Sequence, residues 1–326
     1  MGQKSLIVVG DMFDFHPHTS NAAKEGLLFL AWCAAHDSSQ IDLIFGNHDY
    51  ARVSCYQNTT FEMFDTIASK VEVHEDLDSP QERRQFRIDL ENRYPNYPPL
   101  YAVKDYKDFD PDQVKLVKKL LKNNRFLIAS CEKLLDQTPA LLSHTGFTKA
   151  WIRDHLKLES SDHTGIQKAM QDFLNERVKK VLPSWGTTHS EPLDLMPWGN
   201  RWTATEMFCG GLVHRPTCFP RKHHLDYGFD LPLSRETQPY DFADTVQIVG
   251  HTSHLWSKMY PNEWVTPTAR KATLGPIRNL SWTKDKITYD IGNKVVPAEG
   301  QLFCVDSTMG KASFNQVELL ELIPKG

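Results

Sequence analysis

Short apolar runs punctuate the chain, and four of them stop at a small polar signature. Leu6 to Val9 ends in Gly10-Asp11, and Ile41 to Phe45 ends in Gly46-Asn47-His48-Asp49. Ala140 to Ser143 ends in His144-Thr145-Gly146, and Thr245 to Val249 ends in Gly250-His251-Thr252. Runs of this length bounded by turn residues read as buried strands. Between the first two, Thr19-Ser20-Asn21 offers N-caps for a helix of about Ala22 to Ala35. Its apolar stripe is Leu27, Leu28, Leu30, Ala31 and Ala34. Strand, helix and strand make a βαβ unit, and ligands bind at the C-terminal ends of such strands.

Residues 76–112 are polar and rich in Pro and Tyr, which predicts mostly loop. Asp110-Pro111 then opens a helix with Val114, Val117, Leu120 and Leu121 on one face. Phe126 to Ala129 predicts a strand, and helical patterns cover about 148–158 and 166–182. Residues 183–244 are dense in Pro, Gly, Trp and His without periodicity, which reads as a cap-like insertion beside an active site. Lys286–Ile291, Gln301–Val305 and Gln316–Leu322 predict further strands.

The 326 residues read as a single domain over 1–326, with ordinary globular proportions of apolar and charged residues. That excludes a disordered chain, a coiled coil and a disulfide miniprotein. A net charge of −4 gives no case for nucleic acid or an anionic membrane. No apolar run approaches a membrane span, and the opening residues do not form a signal peptide. Six scattered cysteines without Cys-x-x-Cys read as reduced thiols, so the expected location is cytoplasmic.

Each signature alone is weak, because a Gly-Asp after a strand is commonly a turn and a lone His commonly a rim residue. Four strand ends that each put Asp, Asn or His within two residues of a Gly are a different matter. Carboxylate, amide oxygen and imidazole together suit divalent ions such as Mn, Fe, Zn or Mg. No cysteine joins them, which argues against a closed structural zinc site.

The ordered set resembles the calcineurin-like metallophosphoesterase superfamily. It consists of Gly10-Asp11-Met12-Phe13-Asp14, Gly46-Asn47-His48-Asp49, His144-Thr145-Gly146 and Gly250-His251-Thr252. Its closest likeness is to the serine/threonine-phosphatase and diadenosine-tetraphosphatase branch. The resemblance runs from residue 5 to about 322 and covers the 183–244 insertion only loosely. It implies an α/β fold: a four-layer sandwich of two mixed sheets flanked by helices. It also implies hydrolysis of a phosphorylated substrate (a protein, a nucleotide or a small molecule). In this family two divalent ions, nominally Mn2+, lie about 3.5–4 Å apart and activate a hydroxide. By resemblance Asp11 bridges both ions, and Asn47, His144 and His251 complete the second ion's shell. His48 contacts the phosphate and assists the leaving oxygen, Asp49 orients His48, and Asp14 supports the bridge.

The chain departs from the pattern in two places. The family's opening Asp-x-His motif, which supplies first-ion ligands, has no counterpart before Asp11. Asp14-Phe15-His16 has the right letters but overlaps the second motif. His254 matches the family's Gly-His-x-His ligand displaced by one residue. The expectation is therefore a truncated form of an active enzyme, with a non-catalytic phospho-ligand or protein-binding module on the same scaffold as the alternative. Secondly, Phe15 stands where the phosphatase branch has a phosphate-gripping arginine. Arg201, in Pro197-Trp198-Gly199-Asn200-Arg201, resembles a Trp-x-Arg element that could supply that contact, or is a surface arginine beside aromatics.

Overall fold

The computed structural model describes residues 6–13, 22–54, 56–60, 62–66, 69, 79–93, 109–147, 149–159, 161–187, 190–195, 245–251, 262–272, 275–283, 285–306 and 318–323. The fold is α/β, with sheets of three and six strands and helices against them. In the smaller sheet, β1 (Leu6–Val9) pairs in parallel with β2 (Ile41–Ile44), Leu6 opposite Ile41 and Val9 opposite Ile44. Helix α1 (Ala22–Ala35) makes the crossover that a parallel pair requires. Helix α2 (Asn47–Ser54) begins directly at the polar signature after β2. Strand β3 (Phe126–Leu127) adds to β2, again in parallel, so this sheet is wholly parallel among the described residues.

Between them, helix α3 (Pro80–Arg93) stands where polar composition had predicted loop. Its start is a capping box. Ser79 Oγ accepts the Glu82 N–H at 3.1 Å while a Glu82 carboxylate oxygen accepts the Ser79 N–H at 3.2 Å, with Pro80 at the first helical position. The helix lacks an apolar stripe, so only its cap betrayed it. Helix α4 (Pro111–Lys122) matches expectation: the Asp110 carboxylate accepts from Asp112 N–H, and Val114, Val117, Leu120 and Leu121 are buried.

The predicted strand Phe126–Ala129 is divided between the two sheets. Its first two residues form β3, Ile128 is buried between, and β4 (Ala129–Lys133) opens the larger sheet. Phe126, Ile128 and Ala129 are all buried across the division, so hydrophobicity carries no mark of the switch. Next come β5 (Pro139–Ser143), a short helix α5 (Lys149–Trp151) that widens into a π-helical turn at Ile152–Leu156, and α6 (His163–Val181). Helix α6 starts three residues before the predicted 166 because the Asp162 carboxylate caps it through Gly165 N–H at 2.9 Å. A 3₁₀ turn follows at Leu182–Gly186.

The larger sheet continues with β6 (Val246–Val249), helix α7 (Pro267–Lys271) beside it in sequence, then β7 (Arg278–Trp282), β8 (Ile287–Ile291) and β9 (Gly300–Cys304). Its spatial order is β4-β5-β6-β9-β7-β8. Strands β5, β6 and β9 are mutually parallel, β4 runs antiparallel to β5, and β7 runs antiparallel to both β9 and β8. Strand β7 was not anticipated: all five of its residues are buried, but Arg278, Asn279 and Ser281 disguise the run. Of the predicted last strand, Gln316–Leu322, the described residues 318–322 show an isolated bridge between Leu134 and Leu322; residues 307–317 lie outside the described residues.

One core joins the two sheets: Leu43, Phe45 and Phe126 from the smaller pack in the same cluster as Ala129 and Leu141 from the larger, with Leu174 of α6. The start of the 183–244 segment, which the sequence reads as a cap-like insertion, belongs to it too. Leu193 and Leu195 are buried in this cluster, and their N–H groups donate to Val53 O and Tyr50 Oη. The remainder of the insertion, 196–244, lies outside the described residues.

Helix α1 bears out part of the predicted stripe: Leu30 is buried and Leu27 and Ala34 are half-buried, but its inward face is shifted from the one predicted. Leu30 and Cys33 are buried, whereas Leu28 is 60 % exposed and Ala31 also faces solvent. The helix is apolar on nearly every side, so its pattern could not choose a face. Among the described residues, no helix is long and apolar enough to cross a membrane.

Candidate metal centre

Parallel pairing puts the C-terminal ends of β1 and β2 at one edge, and the same holds for β5 and β6 in the larger sheet. The four polar signatures therefore leave their strands in pairs. The two loops of the smaller sheet interlock. Gly10 and Asp11 both adopt left-handed backbone, with φ of 81° and 55°. A Cβ on Gly10 would collide with His144 Nδ1 and come within 2.8 Å of Gly46 Cα. One on Gly46 would collide with Asp11 N, so the two loops touch main chain to main chain.

Reciprocal hydrogen bonds lock this contact. Asp11 Oδ1 accepts the His48 N–H at 3.0 Å. The Asp49 carboxylate accepts three N–H groups: Gly46 at 3.0 Å, Met12 at 3.0 Å and Asp11 at 3.1 Å. The resemblance assigned Asp49 to the His48 ring; the bonds observed tie it to the backbone of both loops. Burial, and then the nearby Asp11 charge, push the Asp49 carboxyl up to about 6.

The larger sheet brings in two imidazoles. His144 Nδ1 lies 2.9 Å from Val9 O, to which it donates, and this fixes the ring. Its Nε2 then faces three other heteroatoms: Asn47 Oδ1 at 2.9 Å, His251 Nδ1 at 3.1 Å and Asp11 Oδ2 at 3.3 Å. His251 Nδ1 is 3.7 Å from the same Asp11 oxygen. His251 also adopts left-handed backbone, with φ 55°. Asn47, His144 and His251 are buried, and Asp11 is partly so.

Four groups that offer lone pairs thus converge on one point with few protons to share. Burial opposes the Asp11 charge, but His144 and His48 outweigh it and hold the carboxyl well below its ordinary range. For His144 burial likewise favours the neutral ring, and the Asp11 charge reverses the balance and raises it. Such a set of one carboxylate, one amide oxygen and two imidazoles fits a divalent cation. Among the described residues, Asp11, His144 and His251 are the acidic and imidazole groups close enough together to hold one.

The sequence-predicted residues divide accordingly. Asp11, Asn47, His144 and His251 come together, and His48 and Asp49 flank them on the first turn of α2. Asp14, Arg201 and His254 lie outside the described residues, as does the Asp14-Phe15-His16 triplet beyond Phe13.

A residue that sequence reasoning passed over is Arg52. It is fully buried, and its guanidinium donates to the His48 carbonyl at 3.2 Å and to Gln113 Oε1 at 2.9 Å. Its guanidinium carbon lies 4.9 Å from the Phe13 ring centroid and 5.4 Å from that of Tyr56. Gln113 in turn donates to Ala23 O. The spacing of Arg52 four residues after His48 was a signal, but a solvent-facing arginine looks the same in sequence.

Compared with known proteins, the chain matches no family model, no curated protein and no solved structure.

Proposed function

We propose that the chain is a metal-dependent phosphoester hydrolase of the metallophosphoesterase type. The observation that carries this reading is the convergence of Asp11, Asn47, His144 and His251 from four separate strand ends. A divalent ion in this setting supplies charge neutralisation for phosphate oxygens and a nucleophile at neutral pH. The protein's own groups do the rest. Asp11, Asn47, His144 and His251 would hold the ion, which we take as Mn2+, with Fe, Zn or Mg as alternatives. His48 sits at the first turn of α2 with its main chain fixed by Asp11, and its imidazole would contact the phosphate and protonate the leaving oxygen. Asp49 keeps both loops in register for that encounter. Arg201 as a phosphate contact, His254 as a ligand of a second ion, Asp14 as a support and the four-layer sandwich belong to the same proposal.

The test is turnover by purified protein with Mn2+ on p-nitrophenyl phosphate, bis-p-nitrophenyl phosphate and diadenosine tetraphosphate. Hydrolysis of at least one is expected, and failure on all three counts against the reading. His48→Asn should cut turnover by about 10²–10⁴ with metal still bound. His251→Ala should lose the metal.

One observation favours a second reading, a phospho-ligand or protein-binding module without turnover: the described residues assemble ligands for one ion. Metal analysis separates the two, since two ions per chain support the hydrolase, and one ion without turnover supports the module.

A further inference from the structure

Arg52 reaches back along α2 to the turn that carries His48. A side chain four residues further on lies over the preceding turn of its helix. Its Nη1 donates to the His48 carbonyl at 3.2 Å. On the other side, the His48 N–H donates to Asp11 Oδ1 at 3.0 Å. The main chain from which the His48 imidazole projects is therefore bonded at both its N–H and its C=O. The guanidinium is itself braced. Its Nε donates to Gln113 Oε1 at 2.9 Å, and Gln113 donates onward to Ala23 O at 3.1 Å. The rings of Phe13, Tyr56 and Phe109 pack against it, with centroids 4.9, 5.4 and 5.9 Å from the guanidinium carbon. Phe13 stands two residues after Asp11. One side chain thus touches the loop that carries Asp11, the turn that carries His48 and helix α4.

Stability alone does not account for a charge at this place. Phe13, Tyr56 and Phe109 are buried, and such rings pack as well on an apolar side chain. Replacing buried ionic groups by apolar ones of similar volume is often neutral or stabilising. A guanidinium offers something else: donors fixed in one plane that serve two acceptors at once.

We propose that Arg52 is a positioning residue for the leaving-group proton, holding the His48 main chain against the Asp11 loop and α4 and so fixing where the imidazole delivers that proton. This rests on the reading of His48 as the general acid of a phosphoester hydrolase. Arg52 acts through His48 and not on the substrate. Misplacing a catalytic group by about 1 Å can cost on the order of 10²-fold in rate. The loss should grow with the need of the leaving oxygen for a proton.

The test compares two esters in the full chain with Mn2+: phenyl phosphate, whose leaving oxygen needs a proton, and p-nitrophenyl phosphate, whose phenolate leaves without one. Arg52→Met keeps a side chain among the three rings and removes the donors. It should lower kcat on phenyl phosphate by about 10–100-fold, and much less on p-nitrophenyl phosphate, with KM little changed on either. Arg52→Lys keeps the charge but not the planar fork, so it should show the same selective loss at smaller size, and it carries the test if Arg52→Met does not fold. In a His48→Asn background the Arg52 substitution should cost nothing further on phenyl phosphate, because the two residues act as one unit. A readout free of turnover is the His48 amide, whose hydrogen should exchange several-fold faster in the Arg52 variant. Equal losses on the two esters, a further loss in the His48→Asn background, or an unchanged His48 amide each overturn the proposal and leave Arg52 a role in the fold alone. A parent that hydrolyses neither ester overturns the hydrolase reading and this proposal with it; a parent that hydrolyses both, with any of those three results, overturns this proposal only.

Discussion

At the scale of single residues, the centre depends on groups that face main chain as much as on those that face the ion. Asp49 is the clearest case, because its two oxygens serve three N–H groups from two loops. Asp49→Asn keeps the shape but replaces one acceptor oxygen with an NH₂ that can only donate. At least one buried N–H then loses its partner, at a cost of about 1–3 kcal/mol. Chemical denaturation should show that loss, and metal titration should show weakened binding although no ligand has changed. An Asp49→Asn protein as stable as the parent would remove Asp49 from this role. The ligands themselves were legible in sequence because each follows the end of an apolar strand with a Gly within two residues, and strand ends of parallel units fall on one edge. Arg52 was not legible, since its meaning comes from Phe13, Tyr56 and Gln113, which approach only in the folded chain.

At the scale of elements, the same Arg52 ties α2 to α4, and Gln113 extends the tie to α1 through Ala23 O. Gln113→Leu fills similar volume but removes the acceptor from the buried guanidinium Nε and the donor from Ala23 O. The expected destabilisation is about 2–3 kcal/mol, the upper part of the range for a bond lost from a buried polar group. Thermal unfolding measures it, and a loss below half a kilocalorie, roughly the weakest net hydrogen bond, would mean that the bond contributes little. Helix α4 was legible because cap, Pro and apolar stripe agree. Helix α3 was not, because a polar helix announces itself only by its Ser79–Glu82 box. The face of α1 and the division of Phe126–Ala129 between sheets share one cause. Hydrophobicity says that a segment can be buried but not what it is buried against.

At the scale of the molecule, Asp11 and Asn47 come from the smaller sheet and His144 and His251 follow strands of the larger one. An ion held by all four joins the two sheets beyond the core they share. Mn2+ at a hundred times its dissociation constant should stabilise the folded chain by about 2.7 kcal/mol, if the unfolded chain does not bind it. A rise in thermal midpoint reversed by a chelator, and absent in His144→Ala, is the expected result. An unchanged midpoint at saturating metal would count against the four-ligand centre.

The separation of these ligands along the chain has a kinetic side. Asp11 and Asn47 belong to one local unit, β1-α1-β2, whereas His251 waits for a strand that starts at Val246. Contacts between distant segments close late, since long loops must be ordered first. The expected consequence is that refolding chains acquire tight ion binding only when the second sheet docks, which stopped-flow refolding in Mn2+ would show as metal uptake no faster than the recovery of the native fold.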